Sequence, residues 1–372
     1  MKLGILCGGR SGEHEVSLQS AQGIFAATER PRFDPILVAI DKQGNWRAGT
    51  PETLLLHRDD PSKITINPEV QVVTPTGGHG NCRLIDPATS QTLHELDVVF
   101  PIVHGTDGED GALQGLLRIL DVPFVGADVL GSAVGMDKDV MKRLLDHAGL
   151  PVARWVTVRT VDEGMRLYDE VETKWGLPFY VKPTALGSSV GVSRVENRQQ
   201  CQIALEEAFR FDQRVLMEEG IQGREIECSV LGNPGGKDPL QASRTGEILP
   251  ADGFYSYKAK YLDPNGAKLC IPAEVDPGVE EKIQELAIQA FDVLDCSGLA
   301  RVDFFLQEGG RVLINEINTL PGFTKISMYP KLWEISGLPY SDLITRLIEL
   351  GQERYKKRMG LTRDFSPTSS AD

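Results

Sequence analysis

The chain has no C-x-x-C pair, no long apolar run, no internal repeat and no excess of basic residues. Its six cysteines (Cys7, Cys82, Cys201, Cys228, Cys270 and Cys296) are scattered. That fits reduced, mostly buried thiols in a cytosolic protein better than a disulfide framework. Without a cationic start followed by a long apolar stretch, neither a signal peptide nor a membrane-spanning helix is expected, and the placement implied is cytoplasmic. Lys and Arg number 39 against 53 Asp and Glu, a net charge of −14. This balance argues against a nucleic-acid or anionic-membrane partner, although a local basic cleft can still bind phosphate. Neither G-x-G-x-x-G nor G-x-x-x-x-G-K-[ST] occurs, so the dinucleotide fingerprint and the Walker loop are both missing.

What is present suits a soluble enzyme of two or three α/β domains: 372 residues, 41% apolar and 25% charged. The most informative stretch is GLARVDFFLQEGGRVLINEINTLP, residues 298–321. It predicts two strands, 300–306 and 311–317, joined by a turn at Gly309 and Gly310. Alternation puts Arg301 and Asp303 on one strand face, and Glu316 and Asn318 on one face of its neighbour. A charged strand residue on its own usually just faces solvent. If the register brings these faces together, two carboxylates, an amide and a guanidinium converge. Such oxygen donors suit Mg²⁺, which completes its shell with substrate phosphates and water.

Upstream, strand 3–7 runs into Gly8-Gly9-Arg10-Ser11-Gly12 and a helix from about Val16, an anion-receptive corner. Glu13 and Glu15 at that helix start complement its dipole. Residues 42–97 read as an insertion of strands and loops with no nameable chemistry. Strand 98–103 ends in HGTDGEDG, where His104 either lines a cleft or is a capped structural histidine. A helix over 112–120 and a strand over 123–126 close the first domain. Helix 137–147 carries Met141, Leu144 and Leu145 on one stripe, with Lys138 elsewhere. Strand 179–182 ends at Lys182 and leads into the loop TALGSSVGV, whose N–H groups and hydroxyls (Ser188, Ser189) can hold phosphate. The loop 252–264, with Phe254, Tyr255, Tyr257, Lys258, Lys260 and Tyr261, suggests a lid.

Taken in order, G-G-R-S-G-E-H-E-V-S, H-G-x-x-G-E-D-G, K-P, G-S-S-V-G, E-x-x-I-x-G-x-E, A-K-Y, A-R-V-D-F and N-E-I-N-T-x-P-G closely resemble the D-alanine–D-alanine ligases of the ATP-grasp superfamily. The resemblance covers roughly residues 1–350. It implies three α/β domains with ATP between two sheets: 1–128 for substrate, 129–217 central, 218–360 for nucleotide and metal, and a flexible tail 361–372. By motif, Lys138, Lys182, Ser189 and Lys260 meet phosphates. Glu218 reaches the adenine amino group, Glu225 the ribose, and Glu219, Ile221 and Phe254 complete the nucleotide site. Asp303, Glu316 and Asn318 bind two Mg²⁺ or Mn²⁺. Glu15 binds the ammonium of the first D-alanine, with Ser188 and Tyr261 hydrogen-bonded to it and His104 nearby. Ser327 and Met328 meet the second D-alanine, while Arg301 and the Gly322 N–H stabilise an oxyanion. The activity implied is ATP-dependent ligation of two D-alanines through an acyl phosphate, for peptidoglycan precursors, by a homodimer. Related D-lactate-using ligases share a long insertion but lack the lid tyrosine that this chain keeps at Tyr261, so a dipeptide product is expected.

Overall fold

A computed structural model of the chain describes residues 1–78, 80–250 and 267–362. Phe254, Lys260, Tyr261 and the rest of the expected lid lie outside the described residues, as does most of the tail.

Strand Lys2–Gly8 is apolar and buried along almost its whole length, as a strand covered on both faces must be. It pairs in parallel with Asp34–Ile40 on one side and Val98–Pro101 on the other. Helix His14–Ala27 packs against it through Leu18, Ala21 and Ile24, whose three-residue spacing keeps one face apolar. The 42–97 region enlarges this sheet. Trp46–Gly49, Val72–Gly78, Asn81–Ile85 and Thr92–Leu96 add antiparallel strands outward from Asp34–Ile40, giving seven strands in all. The strand expected over 123–126 is reduced to a single bridge, Val99 to Phe124. Five of the six cysteines are buried and Cys270 is partly so.

The second sheet is antiparallel, in the order Trp155–Val158, Val215–Glu219, Phe179–Pro183, Ser193–Val195. Helices Val161–Trp175 and Arg198–Ala208 bury Tyr168, Val171, Cys201 and Leu205 against it. Side chains of Thr160 and Asn197 cap those helices by accepting from Glu163 and Gln200 N–H groups. The sheet continues to Glu219, past the expected boundary at 217.

The third sheet runs Ala267–Cys270, Gln241–Pro250, Arg224–Gly232, Gly298–Leu306, Val312–Asn318, all antiparallel. Helix Pro277–Val293 covers it with Ile283, Ala287, Ala290 and Phe291. Helix Lys138–His147, expected with the central unit, buries Met141 and Leu145 in this same core. Leu144, expected on that apolar stripe, is instead exposed. A helix that the sequence did not suggest, Met328–Ile335, follows the P-G loop. The last helix, Tyr340–Met359, returns to the first sheet, packing Leu343, Leu347 and Ile348 into its core. The Arg354 guanidinium donates to the carbonyls of Phe124 and Gly126, so the end of the chain braces the first unit.

Candidate active site between two sheets

The hairpin register matches the expectation. Asp303 lies opposite Glu316 and Arg301 opposite Asn318, so the four polar side chains share one face. A bulge between Asp303 and Phe304 leaves Asn315 as an extra residue, and both Asn315 and Glu316 line the cleft. Bulges re-aim side chains in this way beside functional sites. Arg301 donates to both Asp303 oxygens, Nε at 2.7 Å and Nη2 at 2.8 Å. Asn318 Nδ2 donates to the same carboxylate at 3.0 Å. Glu227, on the neighbouring strand and opposite Asp303, reaches Arg301 Nε at 3.0 Å. Burial works against the Arg301 charge, but Asp303 and Glu227 outweigh it and hold the guanidinium firmly protonated.

Across a cavity of about 160 Å³ stands the central sheet. Lys182 Nζ is 2.5 Å from Glu218 Oε1, and Lys142 Nζ is 2.8 Å from Glu218 Oε2. Burial raises the Glu218 pKa, yet the two lysines overcome it and hold the carboxyl down at about 2. Each oxygen retains a lone pair, so this pairing leaves the expected adenine contact open. Lys138 bridges the two sides, with Nζ 2.7 Å from the Leu186 carbonyl and 3.3 Å from Glu316 Oε2. Ser189, Ile221 and Glu225 line the cleft with them. The side chain of Glu219 is engaged by Arg154 through two hydrogen bonds of 2.7 and 2.8 Å.

The glycine-serine loop is rooted where Asp212 accepts from Thr184 Oγ1 at 2.7 Å and from Ala185 N–H at 2.8 Å. At its tip Ser188 and Ser189 have φ of 55° and 58°, a left-handed conformation that costs side-chain-bearing residues energy and marks functional loops. Ser188 Oγ donates to Glu13 Oε1 at 2.5 Å. The acid that meets this loop is therefore Glu13 and not Glu15. Glu13 is the residue just before the helix, with non-helical backbone angles, whereas Glu15 lies in its first turn and faces away, paired with Lys42 at 2.7 Å. Sequence reasoning gave both acids to the helix dipole, and the resemblance singled out Glu15, which pairs with Lys42 while Glu13 meets the Ser188 loop. The available signal was Glu13's place in the glycine loop, directly before the helix.

Two further site candidates have side chains engaged inside the protein. His104 has both ring nitrogens engaged inside the protein: Nδ1 faces the Leu320 carbonyl at 3.1 Å, and Nε2 lies 3.3 Å from Ser20 Oγ. It ties the first sheet to the loop before the P-G turn, with Glu109 Oε1 at 3.6 Å and the charge of Glu13 acting on the ring. Met328 is 5% exposed and packs with Ile248 and Leu332, because the unforeseen helix turns its side chain onto the third sheet. The Met328 N–H lies in the first turn of that helix, where N–H groups have no intrahelical partner. Ser327 Oγ is within 3.1 Å of Thr324 N and 2.8 Å of Thr324 Oγ1, and a Cβ on Gly322 would lie 3.2 Å from it. Lys142 was missed altogether. Its signal was a lysine four residues after Lys138, on the same helix face.

Two sheets gripping a cleft, lysines on one wall and carboxylates on the other, with a hydroxyl-bearing glycine loop between, define a ligase of the ATP-grasp class. Comparison with known proteins narrows this. Residues 2–127 match the D-ala D-ala ligase N-terminus model and residues 144–349 the D-ala D-ala ligase C-terminus model. The chain is 53% identical over 356 residues to the D-alanine–D-alanine ligase of Shouchella clausii, covering 96% of each. It is 53% identical over 355 residues to D-alanine–D-alanine ligase A of Escherichia coli K12, covering 95% of this chain and 96% of that one. Among solved structures, the D-alanine–D-alanine ligase of Coxiella burnetii superposes with a TM-score of 0.81 at 38% identity, over 96% of both chains. The VanG D-Ala:D-Ser ligase of Enterococcus faecalis superposes with a TM-score of 0.80 at 35% identity, over 94% of this chain and 99% of that one. The chain belongs to the D-alanine–D-alanine ligase family, whose members are ATP-dependent, ADP-forming ligases.

Proposed function

We propose that the chain joins two D-alanine molecules into D-alanyl-D-alanine, converting one ATP to ADP and phosphate, to supply peptidoglycan precursors. The observation that carries this reading is the Ser188–Glu13 hydrogen bond of 2.5 Å. It joins the loop of the nucleotide cleft to an acid in the first unit, where a substrate ammonium has a counter-ion. Lys138, Lys182 and Ser189 take the phosphates, and Glu218, Glu219, Ile221 and Glu225 the adenosine side. Phe254, Lys260 and Tyr261 are assigned to a closing lid on the strength of the resemblance alone.

Asp303, Glu316 and Asn318 present hard oxygen donors on one face, which fits Mg²⁺ or Mn²⁺. Among the described residues no group of three or more His, Cys, Asp or Glu side chains could hold a metal by itself. Two carboxylates with an amide leave most of the coordination shell to nucleotide oxygens and water. Such ions supply neutralisation of phosphate charge. Arg301 and Lys138, now paired with Asp303 and Glu316, balance those acids otherwise.

In the first step the carboxylate of one D-alanine, held through its ammonium by Glu13, attacks the γ-phosphorus and ADP departs. In the second, the neutral amine of the other D-alanine attacks the acyl carbon, and phosphate leaves with the former carboxylate oxygen and the proton given up by the amine. Arg301 and the Gly322 N–H face the tetrahedral oxyanion, while Ser327 Oγ and the Met328 N–H hold the second carboxylate. Such preorganised donors are worth ~10²–10³ each in rate. The proposed setting is the cytoplasm and the proposed assembly a homodimer; among the described residues no helix is long and apolar enough to cross a membrane. Phosphate release with D-alanine, D-serine, D-lactate and L-alanine tests the reading. D-alanine as the best donor and acceptor supports it, and turnover that prefers another pair overturns it.

A further inference from the structure

Lys142 is the most deeply buried lysine of the cleft region. Its side chain is 1% exposed and does not line the cavity, whereas Lys182 does and is 13% exposed. Between them lies Glu218, 2% exposed, with one oxygen on each. The Lys142 ammonium also meets the Ala153 carbonyl at 3.4 Å and the face of Trp155, 5.7 Å from the ring centre, and feels the charges of Lys182 and Glu316. One partner of Glu218 is thus sealed behind the sheet and the other stands at the cleft. A carboxylate this buried cannot be left alone, because an uncompensated interior charge is strongly destabilising.

We propose that Lys142 is a positioning residue for nucleotide binding: it is the standing counter-ion of Glu218, which frees Lys182 to turn from Glu218 to a phosphate. This rests on the reading of Lys182 as a phosphate ligand. Lys142 touches no nucleotide and acts through the carboxylate. With it in place, Lys182 exchanges one anion for another and Glu218 remains paired. Without it, Lys182 is the only cation on Glu218 among the described residues, and every phosphate contact competes with a buried ion pair. The fold of a Lys142→Met variant keeps one Glu218–Lys182 pair, so the defect appears on binding.

The test uses the full chain, AMP-PNP with Mg²⁺ by calorimetry, and adenosine by ligand-observed NMR as the phosphate-free probe. Lys142→Met is expected to weaken AMP-PNP about 10–100-fold, the range for disrupting a charge-assisted interaction, and to leave adenosine almost unchanged. In the Lys142→Met/Glu218→Gln double variant the affinity for AMP-PNP returns to that of Glu218→Gln alone, because a neutral amide does not hold Lys182. Equal weakening of both probes marks a packing role and overturns the proposal, as does unchanged AMP-PNP affinity in Lys142→Met. If Lys142→Met does not fold, the last two variants still decide. Equal AMP-PNP affinities support the exchange, and a further large loss on removing Lys142 contradicts it. Lys182→Met separates the two levels. If it weakens AMP-PNP while Lys142→Met does not, only the exchange fails. If it leaves AMP-PNP unchanged, Lys182 is no phosphate ligand, and both fail.

Discussion

Replacing Glu13 and Glu15 one at a time by glutamine separates two readings of the same glycine loop. Glu13 accepts from Ser188 at 2.5 Å in a part-buried setting and, in the proposed complex, meets the ammonium of the first D-alanine. A charge-assisted hydrogen bond contributes ~1.5–3 kcal/mol, so Glu13→Gln raises the first-site KM by roughly 10–150-fold. Glu15 pairs with Lys42 at 2.7 Å, but the two side chains are 36% and 52% exposed. An exposed pair of this kind contributes ~0–1 kcal/mol, so Glu15→Gln shifts the same constant by about fivefold at most. Initial rates of phosphate release, with D-alanine varied at saturating ATP, measure both variants, and the KM for ATP changes little in either. A large rise with Glu15→Gln beside a parent-like Glu13→Gln refutes the assignment and the geometric argument behind it.

Asp303→Asn or Glu316→Gln lowers ligation ~10²-fold or more, the scale for removing one partner of a developing charge, and weakens Mn²⁺ binding followed by electron paramagnetic resonance. Near-normal turnover in Mg²⁺ by either variant contradicts the metal assignment. Glu218 has its carboxyl held at about 2 in the fold, against about 4.3 in an unfolded chain, so it contributes ~3 kcal/mol. Because the folded value is the lower one, that stability is full above the unfolded value and is lost as pH falls towards 2. Urea titrations therefore show the gap between parent and Glu218→Gln narrowing by about half near pH ~3, and a constant gap refutes the linkage. Tyr261→Phe keeps dipeptide synthesis and gains D-alanyl-D-lactate formation, most visibly at lower pH where the competing amine is protonated. Product analysis with both acceptors that finds no depsipeptide at any pH leaves Tyr261 as a latch only.

Much of the site was legible because local rules and tertiary structure agree there. Alternation along two strands and a short glycine turn were enough to bring Arg301, Asp303, Glu316 and Asn318 together. The bulge at Asn315 was not readable, since an extra residue leaves no mark in an alternating pattern until the partner strand is known. Helix Met328–Ile335 contains Pro330 within its first turns and follows a proline-glycine loop, so its sequence looks like an extension of that loop. Missing it made the Met328 side chain look available. Lys142 lies on a helix whose apolar face is buried by the third sheet rather than the second, and that long-range choice turns a lysine of unremarkable sequence context into the counter-ion of Glu218. The 42–97 region was expected to hold strands and loops, but its strands pair only with one another and with the edge of the first sheet, so their place in that sheet was not legible locally. Glu13 and Glu15 show the same limit, because the helix starts between two acids that the linear sequence presents as equivalents.

The acyl-phosphate route is tested most directly by following the carboxylate oxygens of the first substrate. D-alanine labelled with ¹⁸O in its carboxylate is turned over with unlabelled ATP, and the phosphate released is examined by mass spectrometry. Attack of that carboxylate on the γ-phosphorus, followed by amine attack on the acyl carbon, carries one labelled oxygen into phosphate for each dipeptide made. Dipeptide formed with unlabelled phosphate contradicts the account.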